Sequence, residues 1–154
     1  MALAAGDKAP SFKIMTDEGE AISSSRLKGA PYIVYFYPKD DTSGCTKEAI
    51  AFSDNLRKFD KAGVRVIGVS KDSVESHAKF RKKHKLKLTL GSDPDIRMAQ
   101  DWGVWGDKTL YGRKYMGMER ATFLIDAKGV VVEAWRKVKV PGHVEAVLER
   151  AKSL

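Results

Sequence analysis

The stretch from residue 31 to residue 61 constrains the fold most, because a short polar turn there joins a strand pattern to a helix pattern. An apolar, β-prone run from Pro31 to Tyr37 ends at Pro38, and proline cannot donate to a strand ladder. Four residues of good N-cap type follow, and Thr46 to Lys61 show the helical spacing of apolar side chains. The sequence therefore predicts a buried strand, a tight turn and a long helix.

The only cysteine of the chain, Cys45, lies at the predicted start of that helix. Backbone N–H groups in a first helical turn have no intrahelical partner and carry the positive end of the helix dipole. A thiol there ionises more easily, and the thiolate is the reactive species. The alternative is an inert core residue, since most lone cysteines are small buried hydrophobes. The polar neighbours and the uncrowded backbone of Gly44 favour a reactive sulfur that is open to solvent.

The residues around Cys45 resemble a known family. Pro38, Thr42 and Cys45 form the Pro-x-x-x-Thr-x-x-Cys pattern of the peroxiredoxins. The flanking Tyr-Phe-Tyr-Pro-Lys and Gly-Cys-Thr are similar to the bacterioferritin comigratory protein, or peroxiredoxin Q, subgroup. The resemblance covers nearly the whole chain and includes residues 6–12, 103–106 and 120–126.

The predicted order of elements agrees with that resemblance. Short strand patterns come first, alternating strand and helix patterns follow, and two strand patterns precede a last helix that begins at Pro141. Such alternation is typical of α/β proteins. The resemblance implies an α/β fold, namely a thioredoxin-like sandwich with a central mixed sheet flanked by helices. We expect it to form a single domain over residues 1–154.

Three further segments give predictions that the structure can test. Leu86 to Leu90 are predicted as a strand, because apolar residues recur there. Ser92, Asp93 and Pro94 are predicted to begin a helix that ends near Trp102, since proline suits a first helical position. Gly103 to Met118 mix glycines, aromatics and charges and are predicted as a loop that could contain a short hairpin.

The resemblance also implies roles for four residues. Cys45 would attack a hydroperoxide and become a sulfenic acid, and the hydroxyl of Thr42 would hydrogen-bond the thiolate and the peroxide. Pro38 would shield the sulfur from water, and Arg120 would hold the thiolate and stabilise charge on the peroxide oxygens. The chemistry is suitable, because arginine stays charged and offers several directed donors. Taken singly, Pro38 would be an ordinary strand terminator, Thr42 an ordinary helix cap and Arg120 an ordinary surface arginine.

Three more residues are candidates for the surroundings of the sulfur. The backbone N–H groups of Gly44 and Cys45 could form an oxyanion hole for a polarised peroxide. Glu48 is predicted as a first-turn helix residue that the dipole favours, with an indirect role at most. Trp105 could line the pocket, although packing is the commoner role of an aromatic side chain in a glycine-rich segment.

The sequence departs from its subgroup in having no second cysteine. Many members of the subgroup carry a resolving cysteine at the place of Ile50 or at about the place of Arg81. An intramolecular disulfide is therefore impossible here, and the resemblance implies an enzyme that a thiol from outside recycles. That thiol could be thioredoxin, glutaredoxin or a low-molecular-weight thiol such as glutathione. An engineered replacement of the second cysteine is the alternative.

The implied activity is thiol-dependent reduction of hydrogen peroxide and organic hydroperoxides, without a cofactor or a metal. One alternative is a non-enzymatic redox sensor or binding protein on the same fold. Another is a basic nucleic-acid-associated protein with a structural Cys45. The net charge of +8 suits nucleic acid. However, the basic run from Lys79 to Lys87 is typical of a solvated helix face, and no nucleic-acid-binding motif accompanies it.

Other partner classes find little support in the sequence. No apolar run approaches the length that crosses a bilayer, and the apolar start is too short for the core of a signal peptide. The three histidines do not form a cluster with other metal ligands. We therefore expect a cytoplasmic protein with no membrane or metal partner, and the resemblance implies a monomer.

Overall fold

The structure is a computed structural model that describes residues 3–154, and nine strands and six helices lie within that range. The strands are β1 (Lys13–Thr16), β2 (Ala21–Ser23), β3 (Tyr32–Phe36), β4 (Arg65–Ser70), β5 (Thr89–Ser92), β6 (Trp105–Leu110), β7 (Arg113–Met118), β8 (Ala121–Ile125) and β9 (Val131–Trp135). The helices are α1 (Ser24–Leu27), α2 (Ser43–Asp54), α3 (Leu56–Lys61), α4 (Val74–His84), α5 (Arg97–Asp101) and α6 (His143–Lys152).

Seven strands form one mixed sheet in the order β2-β1-β5-β4-β3-β8-β9. Strands β3, β4 and β5 are parallel neighbours, whereas β8 runs antiparallel to β3 and β9 antiparallel to β8. Helices cover both faces of this sheet, so the predicted α/β sandwich is confirmed. Within residues 3–154, every helix is too short or too polar to span a membrane.

Strand β3 lies near the middle of the sheet and is buried on both faces. Ile33 and Tyr35 belong to the core that α2, α3, α4 and α6 cover. Val34 and Phe36 point the other way, into the core beside α5. This burial explains why the apolar residues of the strand are contiguous rather than alternating. Each fully buried large side chain contributes roughly 1.5–3 kcal/mol to folding.

The helix predicted over residues 46–61 is two helices, and it begins earlier than predicted, at Ser43. The break is at Asn55, whose side chain donates to the Ala51 carbonyl at 2.8 Å. The Asn55 backbone N–H also reaches the carbonyls of Ala51 and Phe52. Asparagine competes with the helix for backbone groups in this way, and the ladder is interrupted. The apolar spacing continues across the break, so Phe59 is still buried.

The prediction that residues 92–102 form a helix is wrong at its start. Ser92 belongs to β5, and α5 begins only at Arg97. Ile96 has a left-handed backbone with φ of 56°, which a continuous helix cannot contain. The carboxylate of Asp93, which lies before α5 in the chain, caps this shorter helix. It accepts hydrogen bonds from the backbone N–H groups of Met98 and Ala99.

Strand β5 also lies further along the chain than the predicted strand over residues 86–90. Helix α4 ends in a left-handed Lys85, with φ of 54°. The guanidinium of Arg81 then donates to the carbonyls of Leu86 and Leu88. These carbonyls are satisfied by a side chain, and ladder pairing starts only at Thr89.

The segment predicted as a loop over residues 103–118 is mostly a hairpin. Strands β6 and β7 pair from Trp105 and Met118 to Leu110 and Arg113. The two residues between them, Tyr111 and Gly112, both have positive φ. Two-residue hairpin turns favour that geometry because it matches the twist of the strands. The prediction underestimated the hairpin because glycine and lysine weaken the strand pattern.

Candidate active site

Cys45 lies in the first turn of α2, directly after the turn that follows β3, as the sequence predicts. Its side chain is only 1% exposed, so the expectation of a sulfur open to solvent is wrong. The reason is helical spacing: Cys45, Ala49 and Phe52 lie on the inner face of α2 and join the same core. Burial alone would fit an inert cysteine, and the groups beside the sulfur therefore decide its character.

Arg120 provides the charge beside the sulfur. Its Nη2 donates to Cys45 Sγ at 3.3 Å, and its Nη1 donates to Glu48 Oε1 at 2.7 Å. Strand pairing explains why Arg120 lies close to Cys45, because Phe36 at the end of β3 pairs with Ala121, the residue after Arg120. The chain leaving β3 carries Cys45, and the chain entering β8 carries Arg120. A guanidinium within hydrogen-bonding distance distinguishes this cysteine from an ordinary core residue.

Glu48 is more closely involved than predicted. It is fully buried, and it lies beyond the first turn of α2 because the helix begins at Ser43. Burial raises the pKa of the Glu48 carboxyl from 4.5 to about 7, and the adjacent Arg120 opposes that rise. Its Oε1 accepts from Arg120, whereas its Oε2 is buried without a hydrogen-bond partner among residues 3–154. The carboxylate orients one arm of the guanidinium and leaves the other arm for the sulfur.

His143 joins this group, and sequence reasoning considered it only as a possible metal ligand. Its Nε2 lies 2.8 Å from Thr122 Oγ1 and 4.0 Å from Glu48 Oε2. Burial and the positive charge of Arg120 lower the pKa of His143 from 6.5 to about 4. The ring is therefore neutral near pH 7, and its approach to Glu48 is not an ion pair. A histidine at the start of α6 gave no sequence signal for this position.

Gly44 permits the close approach of Arg120. A Cβ atom built at this position would lie 3.1 Å from Arg120 Nη2, closer than side chains ordinarily pack. The backbone of Gly44 is helical, so space rather than backbone conformation makes glycine suitable here. This residue, together with Cys45, Glu48 and Arg120, forms the cluster that the structure brings together.

Thr42 and Pro38 belong to the segment that joins β3 to α2. Thr42 is exposed, and its hydroxyl donates to the Lys39 carbonyl at 2.9 Å rather than to the sulfur. Its own carbonyl accepts the first helical hydrogen bond, from Thr46. Pro38 is half-buried directly after β3. The predicted turn is present, but the hydroxyl of Thr42 donates to the backbone of that turn and not to the sulfur.

Trp105 is half-buried at the start of β6 and packs against the core beside α5. The ammonium of Lys71 lies 5.8 Å from the centre of its ring, a cation–π distance. This environment is that of a packing residue at the base of the hairpin.

The AhpC/TSA family profile matches residues 5–134. The chain belongs to the AhpC/TSA family. It is 53% identical to a Bcp protein of Coxiella burnetii over 97% of this chain and 99% of the relative. It is 44% identical to the peroxiredoxin Bcp of Bacillus subtilis over 100% of this chain and 98% of the relative.

Solved structures of similar proteins give the same assignment. Peroxiredoxin Q of Xanthomonas campestris superposes with a TM-score of 0.88 at 42% identity, over 92% of this chain and 90% of that chain. A peroxiredoxin Q mutant of Xylella fastidiosa superposes with a TM-score of 0.93 at 36% identity, over 99% and 98%. The thioredoxin-like fold is confirmed, and the activity of this AhpC/TSA protein is thiol-dependent reduction of peroxides.

Two positions matter for an AhpC/TSA protein with one cysteine. Ile50, at one place where the subgroup carries a resolving cysteine, is half-buried and packs against the core. Arg81, at about the other place, makes an ion pair with Asp17. Both side chains are integrated into the fold. In residues 3–154, no three His, Cys, Asp or Glu side chains gather as a metal site would require.

Proposed function

We propose that Cys45 is the nucleophile of the peroxidase reaction and that Arg120 is its electrostatic partner. The observation that supports this proposal most is the 3.3 Å contact between Arg120 Nη2 and Cys45 Sγ in a buried site. A guanidinium at that distance can stabilise negative charge where it develops during the reaction, and such stabilisation is stronger where water is excluded.

The proposed reduction of a hydroperoxide by Cys45 needs no cofactor. The Cys45 thiolate attacks one oxygen of the hydroperoxide, an S–O bond forms, and the O–O bond breaks. The other oxygen leaves as hydroxide or alkoxide and takes up a proton to become water or an alcohol. The sulfur is oxidised by two electrons to a sulfenic acid. Negative charge develops on the leaving oxygen, so donors aimed at it accelerate the reaction.

The donors available at this place are the guanidinium of Arg120 and the first N–H groups of α2. The first helical hydrogen bond runs from the Thr46 N–H to the Thr42 carbonyl, so the N–H groups of residues 43–45 precede the ladder. We assign the hydroxyl of Thr42 to the peroxide, which requires it to turn from the Lys39 carbonyl towards the sulfur. We assign to Pro38, which is half-buried directly after β3, the role of limiting the access of water.

Recycling needs a thiol from outside, because the chain has one cysteine. The external thiol attacks the sulfenic sulfur and releases water, and a mixed disulfide forms. A second thiol then regenerates Cys45 and leaves with the first as a disulfide. A sulfur that is 1% exposed cannot be reached by another protein, so the turn before α2 must open for this step. The reductant is a thioredoxin, a glutaredoxin or a low-molecular-weight thiol.

We also propose that the chain acts as a monomer of one domain in the cytoplasm. The cluster of Cys45, Glu48 and Arg120 is complete within one chain, which supports a monomeric site. Light scattering at working concentrations tests the oligomeric state.

Peroxide consumption with an added thiol, followed for the wild type and Cys45→Ser, tests the function. We expect the wild type to consume hydrogen peroxide and the variant to be inactive while it remains folded. Mass spectrometry after one equivalent of peroxide should find a sulfenic acid or a thiol adduct at Cys45. An unmodified thiol, or consumption by the serine variant, would contradict the proposal. Running dithiothreitol, glutathione and a thioredoxin system in parallel identifies the reductant.

A further inference from the structure

A buried carboxylate anchors the turn that precedes Cys45. Asp40 lies five positions before the cysteine, and its side chain is only 4% exposed. It accepts hydrogen bonds from Tyr37 Oη at 2.6 Å, from Ser76 Oγ at 2.8 Å and from His77 Nδ1 at 2.7 Å. Two of these three partners belong to α4. The turn is therefore fastened to a helix outside the catalytic cluster.

The ring of His77 needs two protons to make its contacts. The residue is fully buried, and its Nδ1 faces Asp40 Oδ2 while its Nε2 lies 2.8 Å from the Gly91 carbonyl. Both of these oxygens are acceptors, and a neutral imidazole has one N–H to donate. The geometry therefore calls for the doubly protonated, charged ring. Burial alone would lower the pKa of His77, but Asp40 and the Gly91 carbonyl outweigh it and the net direction is a rise.

The next residue of the same turn is also held by α4. Asp41 has a left-handed backbone, with φ of 60°, a conformation that is uncommon outside glycine but that aspartate adopts more often than most residues. Its carboxylate accepts from Lys83 Nζ at 2.7 Å and lies 2.8 Å from His84 Nε2. These contacts are exposed and individually weak, whereas the Asp40 contacts are buried. The buried anchor is the one that decides where the turn lies.

We propose that His77 is a positioning residue for the chemistry of Cys45. Its charged ring holds Asp40, and through Asp40 it holds the turn and the first residues of α2. This arrangement places the sulfur beside Arg120. The inference rests on the proposed peroxidase function and goes beyond it, because His77 itself contacts none of the catalytic cluster.

A dependence on pH follows from this arrangement. The groups facing His77 are Asp40 from the turn, Tyr37 from the end of β3, the Asp72 carboxylate before α4 and the Gly91 carbonyl of β5. The pKa of His77 is higher in the folded protein than in the unfolded chain. The stabilisation of the turn by the charged ring is therefore fully present below about pH 6.5, the pKa of a free histidine. The contribution is lost as the pH rises through the higher folded value. One acceptor then loses its donor, and the buried carboxylate loses its counter-charge.

The test measures two quantities in the full-length protein. The first is the protonation state of the His77 ring, from its nitrogen chemical shifts between about pH 6 and about pH 10. The second is the rate constant for oxidation of Cys45 by hydrogen peroxide, measured in a single turnover over the same range. The variants are His77→Gln, the double variant Asp40→Asn with His77→Gln, and Lys82→Gln, an exposed charge change on the same helix.

We expect the wild-type ring to carry two protons at pH 7 and the rate constant to fall as the second proton is lost. His77→Gln should lower the rate constant about tenfold at pH 7, because small displacements of reacting groups are costly. It should also abolish the alkaline fall, and the double variant should recover part of the rate because no unpaired charge stays buried. Lys82→Gln should behave as wild type.

A ring with a single proton at pH 7 would overturn the proposal, and this measurement needs no variant. So would a His77→Gln protein that is folded and reacts at the wild-type rate across the range. A wild-type protein that shows no Cys45 oxidation at any pH would instead contradict the peroxidase function. The two failures are therefore distinguishable.

Discussion

Arg120 donates to the sulfur of Cys45 across 75 positions of sequence, at 3.3 Å. The same guanidinium donates to Glu48, which a helical turn separates from the cysteine. One arm of a planar fork is therefore fixed by a buried carboxylate while the other points at the reacting atom. This geometry fits arginine, since a lysine ammonium is a point charge without a fixed second direction.

Arg120→Lys should slow oxidation of Cys45 about a hundredfold, the size of effect seen when one oxyanion donor is removed. The ammonium cannot serve Glu48 and the sulfur with the same geometry. Stopped-flow or quenched mass spectrometry with hydrogen peroxide measures the rate. Arg150→Lys is the matched control, because Arg150 donates to Glu133 at 2.9 Å and neither residue belongs to the cluster. Equal rates in the two variants would argue against a special role of Arg120.

Gly44→Ala should lower the rate of Cys45 oxidation without lowering the stability of the protein. Alanine suits a helix better than glycine by up to about 1 kcal/mol, so the free energy of unfolding should rise or stay unchanged. The new Cβ lies 3.1 Å from Arg120 Nη2, so the guanidinium must shift and the rate of Cys45 oxidation should fall severalfold. Gly106→Ala is the control, since a Cβ there has no neighbour within 4 Å. An unchanged rate in Gly44→Ala would show that the guanidinium tolerates displacement.

Glu48→Gln should remove a dependence of stability on pH. The folded protein holds the Glu48 proton up to about pH 7, whereas the unfolded chain releases it near pH 4.5. Wild-type stability therefore contains a contribution that falls as the pH rises from about 4.5 to about 7. Urea denaturation at about pH 5 and about pH 8 should show this fall in the wild type and a smaller one in the variant. The exposed Glu149→Gln should keep the wild-type slope, and an identical slope in Glu48→Gln would refute the assignment.

Ile50→Cys should restore an internal resolving thiol. In the wild type, excess peroxide should convert Cys45 to the sulfinic acid, because no internal thiol traps the sulfenic acid. In Ile50→Cys, a disulfide to Cys45 should form and limit that over-oxidation, as mass spectrometry would detect. Ala51→Cys places a thiol on another side of the same helix and serves as the control. Equal over-oxidation in all three proteins would mean that α2 does not open enough for the thiols to meet.

The local structure around Cys45 could be predicted well from the sequence. The contiguous apolar run, Pro38 and the cap residues are local features, and they predicted the strand, the turn and the helix that follows it, although α2 begins earlier than predicted. The interruption at Asn55 was missed because a continuous apolar face does not reveal a side chain that competes for carbonyl groups. The hairpin of residues 105–118 was underestimated because its strands carry few β-prone residues and are largely exposed.

The sequence by itself determined most of the elements and the position of the thiol along the chain, because helix caps, prolines and apolar periodicity act over a few residues. Only the tertiary structure decided that the sulfur is buried, that Glu48 and His143 share its site, and that Asp40 meets His77. These contacts depend on how β3 pairs with β8 and how α4 packs beside the turn. Such pairings join residues far apart in the chain. They decide how far the sulfur is removed from water and which charged groups lie beside it. A single sequence carries no local signal for either.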